Sequence, residues 1–153
     1  MKILLATDGS EQSKATAKLI AGRAFPVKTK IRIVSAYNKT PLNVRIDPMG
    51  VSEEFYARVD HDALKAAESA TQETAHILRK KQPDINITTA VVEGSPKSVI
   101  LDEAEAFGAD LIIVGSHGNG MLERFLLGSV AQSVVLHASC SVEVVRTMGQ
   151  RPS

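Results

Sequence analysis

The chain alternates short, continuous apolar runs with longer stretches in which apolar residues return every three or four positions. The first pattern marks a buried strand, the second a helix that buries one face. Ile3, Leu4, Leu5 and Ala6 predict a first strand, and the Thr7-Asp8-Gly9-Ser10 cluster after it predicts a turn that can also start a helix. That helix is expected over residues 11–24, with Ala15, Leu19 and Ile20 at helical spacing, Glu11 early, Arg23 late and Phe25-Pro26 as its stop. "KIRIVSAY" predicts the second strand, whereas residues 38–50 hold Pro41, Pro48 and Gly50 without any period and predict a mobile loop. Ser52-Glu53-Glu54 then opens the longest helix, in which Phe55, Val59, Ala63, Ala67, Ala70 and Leu78 recur until Pro83, roughly seven turns later.

The β-branched "INITTAVVEG" predicts the third strand. Ser95 and Pro96 supply an N-cap and a first-turn proline to a helix that carries Val99, Ile100 and Ala104 and closes at Gly108. Residues 111–114, Leu-Ile-Ile-Val, read as a strand buried on both faces; a helix over about residues 128–137 and a last strand in "SVEVVR" follow. Strands alternating with helices in this way predict an α/β fold, an open parallel sheet of five strands with helices on both faces. With no repeat and no dividing linker, a single domain is expected over residues 1–148, followed by a short tail at 149–153.

Composition narrows the function. The 18 basic and 17 acidic residues nearly cancel, and aromatic residues make up 4% with no Trp, which speaks against a nucleic-acid partner. One cysteine, Cys140, allows no internal disulfide, and the four histidines (His61, His76, His117, His137) are too scattered for a zinc site. The apolar N-terminus is too short for a signal sequence or a membrane span, so a cytoplasmic protein is expected. His61 and His76 are expected on the solvated face of the long helix, His137 at the end of the last one, and Cys140 as a small buried apolar residue.

Four of the ten glycines fall in "GSHGNGMLERFLLGS", residues 115–129, at the end of the fourth strand. In an open α/β sheet ligands bind beyond the carboxyl ends of the strands, where the strand order reverses, so this loop is the candidate site. No glycine in it is followed by lysine, which removes the P-loop, and Glu123 stands where the dinucleotide G-x-G-x-x-G pattern needs its third glycine. What remains is Gly115-x-x-Gly118, nine residues, then Gly128-Ser129. This spacing, together with "KILLATDGS", "GADLIIVGSHGNG", "LLGSVAQSVV" and the closing "SVEVV", resembles the ATP-binding branch of the universal stress protein family over nearly the whole chain.

The resemblance implies the strand order 3-2-1-4-5 of a Rossmann-like, adenine nucleotide alpha hydrolase-like sheet. It implies that Gly115 and Gly118 let the backbone approach the phosphates and that Gly128 and Ser129 present donors at the start of the following helix. Glycine's access to positive φ and the positive end of a helix fit that use independently. By the same resemblance Asp8 accepts from the ribose or helps to hold a divalent ion, Ala36 meets the adenine through its backbone, and Thr7 and Val130 line the site. The implied ligand is ATP or AMP, with Mg²⁺ as an optional companion; no residue is named as a metal ligand or as catalytic. Asp8 also has a plainer use as the cap of the first helix.

His117 sits in the loop without an identifiable nucleophile or acidic partner, which counts against catalysis. Arg124 is available to add charge or to serve as a surface residue, and Met121 and Leu122 to pack or to meet a partner. The family's last strand commonly pairs across a two-fold axis, implying a homodimer through that strand, around Val142 to Val145. Two departures bear on that: Ser139 and Ser141 replace the prolines of a Pro-Cys-Pro element, and Glu143 puts a charge in the strand. The function read from the sequence is a nucleotide-responsive regulator of the stress response. A slow ATP-hydrolysing enzyme and a nucleotide-independent dimeric interaction module are the alternatives.

Overall fold

The structure, a computed structural model, describes residues 1–45, 50–117 and 127–147. Five parallel strands, β1 (Lys2–Ala6), β2 (Lys30–Tyr37), β3 (Asn86–Glu93), β4 (Leu111–Gly115) and β5 (Ser141–Val145), form one sheet in the order 3-2-1-4-5. Between them run α1 (Glu11–Ala21), α2 (Leu42–Arg45), α3 (Glu53–Lys81), α4 (Pro96–Phe107) and α5 (Ser129–His137). This is the α/β architecture and the strand order set out above.

Side-chain alternation along the central strands divides the core in two. Ile3 and Leu5 of β1, Ile31 and Ile33 of β2 and Ile113 of β4 face Ile20, Ala75 and Leu78 of α1 and α3. Leu4, Val34, Ile112 and Val114 face Val99, Ile100, Ala104, Ala131 and Val134 of α4 and α5. Both faces of β1 and β4 are therefore dry, which is why those strands read as unbroken apolar runs. No helix among the described residues is long and apolar enough to cross a membrane.

Three expectations change. The first helix stops at Ala21 rather than running to residue 24, because the Gln82 side chain reaches back from the end of α3 and donates to the carbonyls of Ala21 and Arg23 at 2.9 and 2.7 Å. The Ala21 carbonyl is among the groups a helix end leaves unpaired, and a distant amide satisfies it together with the Arg23 carbonyl just beyond. Residues 38–45 are not a loose loop but a strap tied to α3. Asp60 accepts from the Thr40 amide at 2.7 Å and from its hydroxyl at 2.9 Å, and it pairs with Arg45. Tyr56 donates its hydroxyl to the Val44 carbonyl at 3.1 Å.

The long helix, finally, is longer than the sheet it covers. At 29 residues it runs about 44 Å, whereas the strands have 5 to 8 residues. Its buried row in the C-terminal half is Ala67, Ala70, Thr71, Thr74, Ala75 and Leu78, while Phe55 and Val59 in the overhanging first turns are exposed and Tyr56 is buried under the strap. His61 and His76 lie exposed on this helix, as expected, and Cys140 is only partly buried, against the α4 and α5 side of the core.

Candidate functional site

The strand order reverses between β1 and β4, so the segments leaving their carboxyl ends part to opposite faces and open a cleft of about 340 Å³. Of the residues singled out from the sequence, Thr7, Asp8, Ala36, Gly115, Gly128, Ser129 and Val130 all line it. Gly118 lies outside the described residues, as do Met121, Leu122 and Arg124.

The first wall is the turn after β1. The Thr7 amide still donates to the Val34 carbonyl at 2.9 Å, extending the sheet by one residue, and its buried hydroxyl meets the Thr74 hydroxyl of α3 at 3.2 Å. Gly9 takes φ +76°, a conformation favouring glycine, and a Cβ there would come within 3.2 Å of Ala70 Cβ. Asp8 is not the cap of α1. Ser10 is, accepting from the Ser13 amide at 3.2 Å. Asp8 instead braces the turn ahead of the cap: Oδ1 accepts from the Ser10 amide at 2.9 Å and from the Ser13 hydroxyl at 2.5 Å. Ser13, also in the cleft wall, is the part of this device that the sequence reading missed. Its spacing of five from Asp8 is the signal that was there to be read.

The second wall is β4 with the start of α5. Gly115 and Gly128 do not have positive φ, so conformational freedom is not what glycine supplies at either place. At Gly128 it is room. The Gly128 amide donates to the Ser116 carbonyl at 2.8 Å, and a Cβ at residue 128 would stand 3.0 Å from that same oxygen. This corrects the use expected of Gly128: its N–H is spent inside the protein and is not a donor to a ligand. Among the described residues, the amides of Ser129, Val130 and Ala131 are the donors left at the start of α5, since they precede the first helical bond, Gln132 N–H to Gly128 O at 2.9 Å. No side chain among the described residues caps this helix, and all three residues line the cleft. An uncapped helix N-terminus opening on a cleft is a place where an anion is favoured.

Between the two walls the floor is apolar. Val34 and Ala36 of β2, Ile100 and Pro96 of α4 and Val114 of β4 line it, a flat hydrophobic slot beside the polar end. Sequence reading placed only Ala36 there. Pro96 and Ile100 carried signals for a helix start and a helix core, and only the tertiary fold turns them toward the cleft. Ser116 and His117 complete the wall next to Gly128. Among the described residues, no group of three or more His, Cys, Asp or Glu stands together as a metal site.

Glu143 does not project from the edge as a bare charge. Its carboxylate takes two hydrogen bonds from the Arg23 guanidinium, at 2.8 and 2.5 Å, and that pairing lowers its pKa below the ordinary carboxylate value. β5 itself is an edge strand, paired with β4 alone among the described strands.

Known proteins resemble this chain in sequence and in fold. A universal stress protein of Methanocaldococcus jannaschii is 32% identical over 148 residues, 95% of this chain and 81% of the relative. One from Thermus aquaticus is 32% identical over 144 residues, 94% of this chain and 97% of the relative. Among solved structures, the universal stress protein UspA of Lactobacillus plantarum superposes with a TM-score of 0.74 at 24% identity, over 95% of this chain and 97% of that one. An Arabidopsis thaliana family member with AMP bound gives 0.68 at 16% identity, covering 97% and 92%, and an Archaeoglobus fulgidus member in complex with dAMP gives 0.61 at 20%, covering 94% and 96%. These superpositions establish the common fold. A sequence profile of the family matches residues 1–146, and with that match and the identities above, the chain belongs to the universal stress protein family.

Proposed function

We propose that the protein binds an adenine nucleotide, ATP or AMP, in the cleft between β1 and β4 and acts as a nucleotide-responsive regulator of the stress response in the cytoplasm. The observation that carries this reading is the pairing, in one cleft, of an uncapped helix N-terminus with an apolar slot. Phosphates suit the first and a purine ring the second. The AMP and dAMP held by the Arabidopsis and Archaeoglobus relatives have this composition.

In this reading Ser129 and Val130 hold phosphate through their amides, Gly115 and Gly118 leave room for it, and Ala36 meets the adenine. Thr7 and Asp8 face the sugar, and Gly128 positions the donors rather than donating. Mg²⁺, if it accompanies ATP, binds mainly through the phosphates, since Asp8 is the single carboxylate among the described residues of the cleft wall and its Oδ1 already accepts two hydrogen bonds. A homodimer through β5 belongs to the same proposal. Arg23 neutralises Glu143 on the α1 side of the sheet, so the charge that would discourage pairing at the edge is already taken up.

Calorimetric titration of nucleotide-stripped protein with ATP, AMP and cyclic AMP, with and without Mg²⁺, tests the first part. Saturable binding of any of the three upholds the reading, and absence of heat with all of them overturns it. Phosphate release from ATP and Mg²⁺ above the protein-free background would move the hydrolytic alternative ahead. Light scattering behind a sizing column decides the dimer.

A further inference from the structure

The cleft lies beyond the carboxyl ends of the strands; the opposite edge, where the strands begin, carries a different surface. Lys30 opens β2 and is in register with Lys2 of β1 and with Asn86 of β3. The end of α3, Arg79-Lys80-Lys81, reaches the same edge, where the Gln82 side chain clasps the carbonyls of Ala21 and Arg23. Lys28, Lys30, Lys80 and Lys81 are all exposed there, and among the described residues none of the four enters an ion pair. Cations elsewhere are matched: Lys14, Arg23, Arg32, Lys39, Arg45 and Lys65 each meet a carboxylate. Between Lys81 and β3 stands one exposed carboxylate, Asp84, while α4 brings Asp102 and Glu105 to the other side of the edge. The basic surface is therefore one-sided.

A bonded turn projects from it. The Thr29 amide and hydroxyl both donate to the Pro26 carbonyl, at 3.2 and 2.6 Å, and Lys28 takes φ 67°, the one positive value among the described non-glycine residues. At the tip, Val27 is 90% exposed, the highest fraction of any large apolar residue on the described surface. A single exposed valine is ordinary. This one is held out between unpaired lysines, the combination of apolar and cationic groups that an anionic bilayer takes up together. Phe25, the aromatic residue next to the turn, packs against the core rather than standing free to stack on a base. We propose that this edge is a docking surface for an anionic phospholipid bilayer, with Lys28, Lys30, Lys80 and Lys81 among the lipid phosphates and Val27 entering the boundary of the acyl chains. The contact is peripheral. Because the cleft opens at the opposite edge, a docked molecule keeps it toward the water, and nucleotide and lipid do not compete.

The test floats the whole chain with vesicles of phosphatidylglycerol and phosphatidylcholine in equal parts, and with phosphatidylcholine alone, at low and high salt. Flotation with the anionic vesicles only, lost at high salt, is expected. The double variants Lys28→Gln with Lys30→Gln and Lys80→Gln with Lys81→Gln should each weaken the partition by at least about tenfold, since one lysine near the surface contributes about fivefold. Arg58→Gln, at the far end of α3, should leave it unchanged. All of these side chains are exposed, so each variant should melt like wild type. The chain has no Trp, so Val27→Trp supplies a single reporter, whose emission should shift to the blue on anionic vesicles and be quenched by brominated acyl chains. Absence of flotation with anionic vesicles at low salt overturns the proposal, as does wild-type flotation of both lysine variants. Emission of bound Val27→Trp that stays as it is in water overturns the entry of the turn. Capture by polyglutamate or duplex DNA without capture by vesicles would assign the lysines to another polyanion and overturns the docking surface as well.

Discussion

Gly115 and Gly128 belong to one sequence signature, yet the structure separates what a methyl group would do at each. At Gly128 the φ of −58° and ψ of 151° suit alanine, so no backbone strain arises. The added Cβ would, however, meet the Ser116 carbonyl oxygen at 3.0 Å, with the Gly128 amide bonded to that oxygen at 2.8 Å. Backbone stands on both sides of the contact, so relief requires the start of α5 to move away by a few tenths of an ångström, stretching a buried hydrogen bond. Weakening such a bond and leaving its partners short of a mate costs about 1–3 kcal/mol. The smaller entropy of unfolded alanine returns about 0.4–1 kcal/mol. Gly128→Ala should therefore lose about 1–2 kcal/mol, a fall in Tm of about 2–8 °C for a chain of this size.

At Gly115 the nearest atoms to a new Cβ are the His117 carbonyl oxygen at 3.4 Å and Thr16 Oγ1 at 3.6 Å, both ordinary contacts. Only the entropy gain is left, so Gly115→Ala should match or slightly exceed wild type in stability while filling the wall that the nucleotide is proposed to approach. Urea denaturation followed by far-UV circular dichroism gives both free energies, and titration with AMP gives the affinities. If Gly115→Ala proves as unstable as Gly128→Ala, or if Gly128→Ala unfolds like wild type, the packing argument at the start of α5 is wrong.

Gly9→Ala combines positive φ with an approach of 3.2 Å to Ala70 and should cost at least about 1–2 kcal/mol in the same urea assay. Glu143→Gln removes the carboxylate held by Arg23. Because the folded-state pKa is lowered, the pair stabilises above the unfolded carboxylate pKa and fades as pH falls through the folded one, so wild type and variant should differ by about 1 kcal/mol or less at pH 7 and converge in acid. A difference that persists in acid would refute the assignment. Asp60→Asn should loosen the strap without touching the sheet, seen as faster proteolysis within residues 38–51 at unchanged Tm. Acid should do the same to wild type as Asp60, whose pKa is lowered chiefly by the Thr40 amide, takes up its proton.

The sheet was legible because burial on two faces leaves its mark in consecutive residues: residues 111–114 have no polar position to spare, and none is exposed in the fold. The helix signals at Ser95, Pro96 and Gly108 were legible because caps act within a few residues, and they stand where expected, with Gly108 at φ 66°. What escaped depends on contacts far apart in the chain. Gln82 ends α1 from 61 residues away, and Arg23 meets Glu143 across 120. The period of α3 announced a helix but not how far the sheet beneath it extends, and so Phe55 and Val59 joined an apolar row that turns out to be solvated at that end. In the cleft, the spacing of glycines marked the place. That the amide of Gly128 is already consumed depends on an approach of backbone to backbone that no spacing encodes.

The strand order bears on how the chain is born. β1 lies at the centre of the sheet, flanked by β2 and β4, yet among the five strands of this sheet it is made first, and Leu111 of β4 follows Ile3, its partner in register, by 108 residues. At translation rates of about 5–20 residues per second, one edge of this strand, apolar from Ile3 to Ala6, waits on the order of 5–20 s for its neighbour. During that interval β1, β2 and β3 can pair among themselves under α1 and α3, but the other edge of β1 is open to any strand that arrives first. The nascent chain is thus most exposed to wrong pairing through the strand that becomes the best protected once synthesis ends.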